Sequence, residues 1–439
     1  MQLASLDFLL FFFPVMILVG LCLRGRYRSF ACGMGGLVYC ALQGISVLLP
    51  MLLAVFGVRL LLSMMSEPDI THRRCKSLSV IGWLWLLGVV FLSRFWHGSV
   101  PLPLALCMML LIELLLIYSG SYKQRQPLMP FGIYFGYCFG LMRLWAGPVL
   151  TLAQYEYIIE TCQCSVMRLG KGMGAFVRGL AKLVLLAMPA AEVSYLLTEK
   201  ASAHTLPMLG AVLGLVTMFF AIRYGLGGMA QMGDGMAYML GYHYPEEMPF
   251  HYNAESCRGS WERLWGSAAQ WAKRVFHTHM PSLHRGVRLA AFGVTAGLLF
   301  GRGWNGLLWG MLLALLFWAE PMVHRLLGGK IPSAVCRAAA VCLMLCSIGV
   351  LYAATFGGAV DYVLALAGAN GFWWGGEVLY LLKTNWASLL GCVLLLFPLR
   401  TKLKQAAAGN SLLGWLSVPI VPVAEALLLI VCMGTLLVS

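Results

Sequence analysis

The chain has 439 residues, of which 60% are hydrophobic and 11% charged, with a formal net charge of +14. A soluble globule carries about 25% charged residues, so the composition excludes a soluble domain and predicts a polytopic membrane protein. The positive charge does not point to nucleic acid: the basic residues fall in short clusters between apolar runs, as cytoplasmic loops and contacts to anionic lipid do.

A span needs about 20 apolar residues. Leu6–Leu23 meets this closely enough and, lacking a basic leader or a small-residue cleavage site, is predicted to be a retained first span. Arg24, Arg26 and Arg28 place its end in the cytoplasm. Ala31–Met65 is too long for one span, and Pro50 is predicted to divide it into two. The chain then returns to a basic cluster at His72, Arg73, Arg74 and Lys76. Spans at Leu78–Phe95 and Leu102–Tyr118 follow, joined by a short outer turn, before Lys123 and Arg125 return to the cytoplasm. Phe131–Leu152 is apolar but interrupted by Ala146-Gly147-Pro148, a break tolerated where the freed backbone is buried in protein or faces a cavity.

The stretch carrying Arg168, Lys171, Arg178 and Lys182 reads as a cytoplasmic amphipathic approach. Further spans are predicted at Leu183–Leu197, Leu206–Ile222, Leu289–Phe300, Leu307–Trp318, Ala338–Ala354, Leu389–Leu399 and Ile420–Leu437. Gly225–Leu240, rich in Gly and Met with Asp234 inside it, reads as a broken or re-entrant segment, and Trp373–Leu382 as a short one. The expectation is an all-α fold of about eleven spans plus re-entrant and interfacial helices. No internal repeat is evident, which weakens a transporter built from inverted halves.

Gly241–Arg274 is a charged, Trp-rich island in this apolar chain. From Trp261 the apolar residues fall at Leu264, Trp265, Ala268, Ala272 and Val275, one stripe of a single helix face. Glu262, Arg263, Gln270, Lys273 and Arg274 fall opposite. Such a helix carries too many charges to cross a bilayer. It is predicted to lie in the interface or line a polar cavity, with its Trp side chains at headgroup depth.

The order of these segments resembles the membrane-bound O-acyltransferase family, in the bacterial branch of alginate O-acetylation and D-alanyl-teichoic acid transfer. The likeness covers most of the first 320 residues. It runs through the opening Ser5–Pro14, then Ala146-Gly147-Pro148, Arg178–Lys182 and Leu240–Glu246. The family's run Phe-Trp-Arg-Arg-Trp-His-x-Ser-Leu-x-x-Trp is matched in register at Trp261, Arg263, Ser267 and Trp271, with Trp265 at its histidine. The family's catalytic histidine sits in Leu-Trp-His-Gly, just before Trp-Asn. Here Gly301, Trp304, Asn305, Trp309 and Gly310 match, and Phe300 stands at the histidine position. Phenylalanine takes no proton, and a general base typically contributes on the order of 10²–10⁴-fold.

The resemblance implies one domain over 1–439, with N-terminal spans to 130, a family-like core over 131–320 and C-terminal spans beyond. Spans would surround a central funnel lined by Trp261, Arg263, Trp265, Ser267, Trp271, Gly301, Trp304, Asn305 and Asp234, with the 241–276 segment at its cytoplasmic mouth. It implies O-acyl transfer to hydroxyls of a cell-envelope polysaccharide, in the bacterial cytoplasmic membrane. The acyl thioester donor would be an acyl carrier protein or acyl-CoA, with no resident cofactor, and a periplasmic or surface transferase would be a partner. The alternative is an inactive relative serving as conduit, scaffold or acyl-binding subunit.

Among histidines that could replace the missing base, His277 and His279 follow the amphipathic helix, where an interfacial pair near anionic headgroups is the simpler reading. Phe95-Trp96-His97-Gly98 looks like the missing run, but lies far from it along the chain and also reads as an interfacial outer turn. His243 and His251 are ambiguous; His72, His284 and His324 sit beside arginines. Asp234 and Glu320 are acids at membrane depth, where an ionisable group usually faces a cavity or partner; Glu320, before Pro321, also reads as a span end. Most of the 14 cysteines, such as Cys107, Cys342, Cys346 and Cys432, read as small buried hydrophobes. Cys162 and Cys164 are too close for a zinc pair of normal spacing, and no metal site is expected.

Overall fold

A computed structural model describes residues 5–67, 69–120, 127–202, 205–244, 256–279, 284–301, 303, 305–326, 333–352, 356–371, 373–396 and 411–438. Trp304, His251 and Arg302 lie outside them, as do the side chains of His279 and His324. The described chain is helical, with α1 Phe13–Cys22, α2 Gly25–Gln43, α3 Ile45–Met65, α4 His72–His97, α5 Leu102–Gly120, α6 Phe131–Phe139, α7 Leu152–Glu160 and α8 Val166–Ala181. There follow α9 Met188–Ser202, α10 Met208–Met239, α11 Cys257–Lys273, α12 Arg285–Phe300, α13 Asn305–Leu326 and α14 Ser333–Tyr352. The last are α15 Phe356–Leu366, α16 Gly376–Thr384, α17 Trp386–Leu396 and α18 Ser411–Val438. Among the described residues 7 helices are long and apolar enough to cross a membrane, or 8 if α16 and α17, bent by 72°, form one span. Helices dominate because lipid offers no partner for a free N–H or C=O, and a helix satisfies its own. The protein is an all-α, multi-pass membrane protein.

Several boundaries differ from the sequence pattern. The break in 31–65 falls at Gly44, whose φ of 120° no L side chain adopts readily, and Pro50 sits inside α3. Pro50 lies in the second turn of α3, where its missing N–H costs one bond near a helix end. Arg28 is not a loop charge but lies within α2, 5% exposed. Its guanidinium donates to the carbonyls of Gly20, Leu23 and Leu240 at 2.7–2.9 Å and to Cys162 Sγ at 2.9 Å. A buried cation so satisfied is a clasp joining four chain segments. Gly225–Leu240 is neither broken nor re-entrant: it is the continuous end of α10. Its glycines serve helix contact, since a Cβ on Gly228 would lie 2.8 Å from the Gly179 carbonyl and one on Gly179 would lie 2.7 Å from Gly228 O. Cys342 and Cys346 are exposed, not buried.

Two compact units divide the chain. The first comprises Met1–Gly172, Met236–Glu246 and Ser267–Ala314; the second Met173–Gly235, Glu247–Gly266 and Leu315–Ser439. The first unit is built on α5, whose residues from Pro103 to Leu115 are all buried, Glu113 among them. In the second unit Val193, Leu197, Leu206, Leu215 and Tyr362 form a core, and the Tyr362 hydroxyl donates to Ala211 O at 2.8 Å. Arg178 pairs there with Glu425, an acid set in the apolar run of α18. The basic stretch at 166–182 is therefore part of a helix carried on into Met188–Ser202 through a π-helical turn, Lys182–Ala187, rather than a separate surface approach.

Candidate functional site

The amphipathic segment begins at Cys257, four residues ahead of the predicted stripe, because a partner caps it. Glu320 of α13 accepts from the backbone N–H of Cys257 at 2.6 Å, supplying negative charge where a helix start presents orphan donors. Glu320 thus marks a cap, not merely a span end. Gly266, with φ 48° and ψ −119°, is not helical, so the single helix expected here is two helical pieces joined at a kink. The part before Gly266 belongs to the second unit and the part after it to the first.

In the second unit Trp261 and Trp265 are buried with ring centroids 5.1 Å apart. Arg263 is half-buried, and its carbonyl accepts from Arg223 Nη1 of α10 at 3.4 Å. Asp234, also half-buried, lies on α10 within the same unit.

In the first unit the later part of the helix packs on α5. Trp271 is 3% exposed, and its indole N–H donates to the Met109 carbonyl at 2.8 Å. Arg274 donates from Nε to Glu113 Oε1 at 3.0 Å and from Nη2 to Oε2 at 3.2 Å. Ser267 Oγ accepts from the backbone N–H of Val149 at 2.7 Å. The whole apolar stripe is buried: Leu264 and Val275 are fully enclosed, and Ala268 and Ala272 nearly so. Glu262, Gln270 and Lys273 face outward as the helical spacing requires. The tryptophans are therefore enclosed by protein instead of lying free at headgroup depth, and Arg274 leaves the polar face to meet a buried acid. A π-helical turn, Arg274–His279, follows and carries His277 to the surface.

Ser267 accepts the N–H of a residue 118 positions away, immediately after the Ala146-Gly147-Pro148 break. The break thus stays buried because a side chain replaces a helical carbonyl as acceptor. Ser267→Ala orphans that buried N–H and is expected to lower stability by ~1–3 kcal/mol; the thermal unfolding midpoint of purified protein measures it.

Phe300 ends α12, half-buried, and Asn305, 5% exposed, opens α13. Between them the chain turns tightly. A Cβ on Gly301 would lie 2.6 Å from the Gly297 carbonyl, and one on Gly293 would overlap the carbonyl of Gly310. The turn is held by α4. Arg94 donates to the carbonyls of Gly297, Leu298, Gly301 and Gly303 at 2.7–3.2 Å. Gly303 N–H donates to Gly98 O at 2.8 Å. Phe95–His97 thus form the end of α4 and not an outer turn; Gly98, which caps them, is hydrogen-bonded to the loop that follows Phe300, and His97 is exposed there. Separation along the chain hid this neighbourhood.

Charged groups with no place in the sequence argument include Glu113, Arg143 and Glu425, as well as Arg94. Each is an ionisable residue inside an apolar run, the same signal that singled out Asp234. No group of three or more metal-ligand side chains occurs among the described residues. Compared with known proteins, the chain matches no family model and no curated protein.

Proposed function

We propose that the protein is a membrane-embedded O-acyltransferase. It would move a small, acetyl-like acyl group from a cytoplasmic thioester donor, an acyl carrier protein or acyl-CoA, to hydroxyls of a cell-envelope polysaccharide. The membrane would be the bacterial cytoplasmic membrane, with a periplasmic or surface transferase as partner. One observation carries this reading. The Ala-Gly-Pro break and the Ser267–Trp271 run, two distant segments of the resemblance, are joined by the Val149–Ser267 hydrogen bond. The bond brings these two segments together within the first unit.

The reaction needs a base to take the proton of the attacking hydroxyl as its oxygen adds to the thioester carbonyl; the thiolate then leaves. Phe300 supplies none. His97 is the base favoured here, because Gly98, next to it, is bonded to the loop after Phe300; His277 is the other. The test is acyl analysis of envelope polysaccharide in cells with the protein, without it, and with His97→Ala or His277→Ala. Loss of acyl groups on deletion is expected, and on His97→Ala a fall of about 10²–10⁴-fold in rate. Unchanged acylation on deletion sinks the reading. Acylation lost on deletion but retained in His97→Ala, in His277→Ala and in His277→Ala combined with His279→Ala favours the second reading. In that reading Phe300 marks an inactive relative acting as conduit, scaffold or acyl-binding subunit.

A further inference from the structure

Cys162-Gln163-Cys164 lies in the loop between α7 and α8, in the first unit, with Cys164 exposed and Cys162 half-buried. Both thiols donate to one acceptor, the Leu240 carbonyl, each at 3.2 Å. Their sulfurs therefore stand no more than twice that distance apart. The loop is seated to hold them there. Arg168 Nη1 donates to the Gln163 carbonyl at 2.7 Å. Gly241 lies so close to the same carbonyl that an added Cβ would overlap it. Residues 162–165 lie outside both helices, so bringing the sulfurs into bonding distance breaks no helix.

A buried cation completes the cluster. Arg28, 5% exposed, donates from Nη1 to Cys162 Sγ at 2.9 Å and to the Leu240 carbonyl at 2.7 Å. Its other hydrogen bonds go to the carbonyls of Gly20 and Leu23, and no described carboxylate meets it. Cys162 is thus the one group hydrogen-bonded to this arginine that can acquire a full negative charge. Burial pushes the Cys162 thiol up, and Arg28 pulls it part of the way back. At rest it is a neutral thiol, but the anion it becomes on attack meets a guanidinium already in place. Cys164 is the sulfur that an oxidant in water reaches first, with a second thiol poised beside it.

We propose that Cys162 and Cys164 form a dithiol site for hydroperoxides, in which Cys164 is oxidised and Cys162 closes the disulfide. Cys164, once deprotonated, attacks the peroxide O–O bond. That bond breaks, a sulfenic acid forms, and the other oxygen leaves as an alcohol, or as water from hydrogen peroxide. The Cys162 sulfur then attacks the Cys164 sulfur. The S–S bond forms, the S–O bond breaks, and the departing hydroxide takes the Cys162 proton to leave as water. The two thiols lose two protons and two electrons, and the peroxide accepts both. The site is independent of the acyl-transfer reading.

The test uses the full chain, purified in detergent and reduced, then exposed to hydrogen peroxide with dimedone present. Remaining thiols are alkylated with N-ethylmaleimide, and the chain is cleaved after Lys and Arg. The peptide over 144–168 carries both cysteines and no other. Its mass is expected to fall by two hydrogens, with neither dimedone nor maleimide attached, and dithiothreitol should restore two alkylatable thiols. Cys162→Ser should instead trap dimedone on Cys164, because nothing resolves the sulfenic acid. Cys164→Ser should give several-fold less adduct on Cys162. Both side chains reach the surface, so neither variant removes a core group. Thiols left unmodified, or dimedone retained on the wild-type peptide, would overturn the proposal. So would a disulfide to any other cysteine, or adducts of equal yield in the two variants.

Discussion

Replacing Arg274 by leucine is expected to destabilise the protein by ~3–5 kcal/mol, the range for a buried ion pair that loses one partner. The Glu113 side chain is 2% exposed and that of Arg274 27%. The two single substitutions should therefore differ. Arg274→Leu strands a carboxylate with no route to water, whereas Glu113→Leu leaves an arginine that still reaches solvent at one edge and should cost less. The double variant, with apolar side chains at both positions, should recover most of the loss, because neither desolvated charge remains. A double-mutant cycle on thermal unfolding midpoints measures all three. Additive losses would mean that the pair does not hold the helix against α5. Trp271, whose indole is anchored on Met109 in the same interface, would then be its principal tie.

Gly310→Leu is the second large effect. In the first unit α12 and the start of α13 approach through Gly293, Gly297, Gly301, Gly306 and Gly310. A Cβ on Gly310 would overlap the Gly293 carbonyl and come within 2.9 Å of Gly297 N. These neighbours are backbone atoms, which cannot swing aside as a side chain does. Gly310→Ala should cost ~1–3 kcal/mol as overpacking. Gly310→Leu should exceed that and abolish a monodisperse folded species in size-exclusion chromatography. Gly88→Ala is the control: it lies in α4 with nothing within 4 Å of the added carbon, and a shift within about ±0.5 kcal/mol is expected. Equal behaviour of Gly310→Leu and Gly88→Ala would show that the close approach does not govern folding.

The predicted O-acyltransferase chemistry and these structural effects separate cleanly in experiment. His97 and His277 are exposed, so their substitution by alanine should leave the unfolding midpoint nearly unchanged. A loss of acylation in such a variant is then a loss of chemistry, not of fold.

By itself the sequence determined that the chain is helical and membrane-embedded, and where most of its long apolar segments lie. Lipid admits only segments that satisfy their own backbone and present apolar side chains, and both properties are local. The stripe from Trp261 to Val275 was legible for the same reason, as a helical periodicity, but the kink at Gly266 within it was not. Partnerships were not legible. Pro50 looked like the breaker of 31–65, but Gly44 takes the positive φ that the turn demands. Arg28 and Arg274 looked like solvated charges. Tertiary structure gave Arg28 the Leu240 carbonyl, 212 positions away, and Arg274 the carboxylate of Glu113, 161 positions away. The glycines of α10 looked like a break until the facing glycine of α8 made them a contact. Only the fold brought the His97 end of α4 to the loop after Phe300, through the fan of Arg94 bonds. A charge or a glycine is read correctly only with its neighbour, and in a bundle of helices that neighbour lies on another helix, at a distance along the chain that no periodicity encodes.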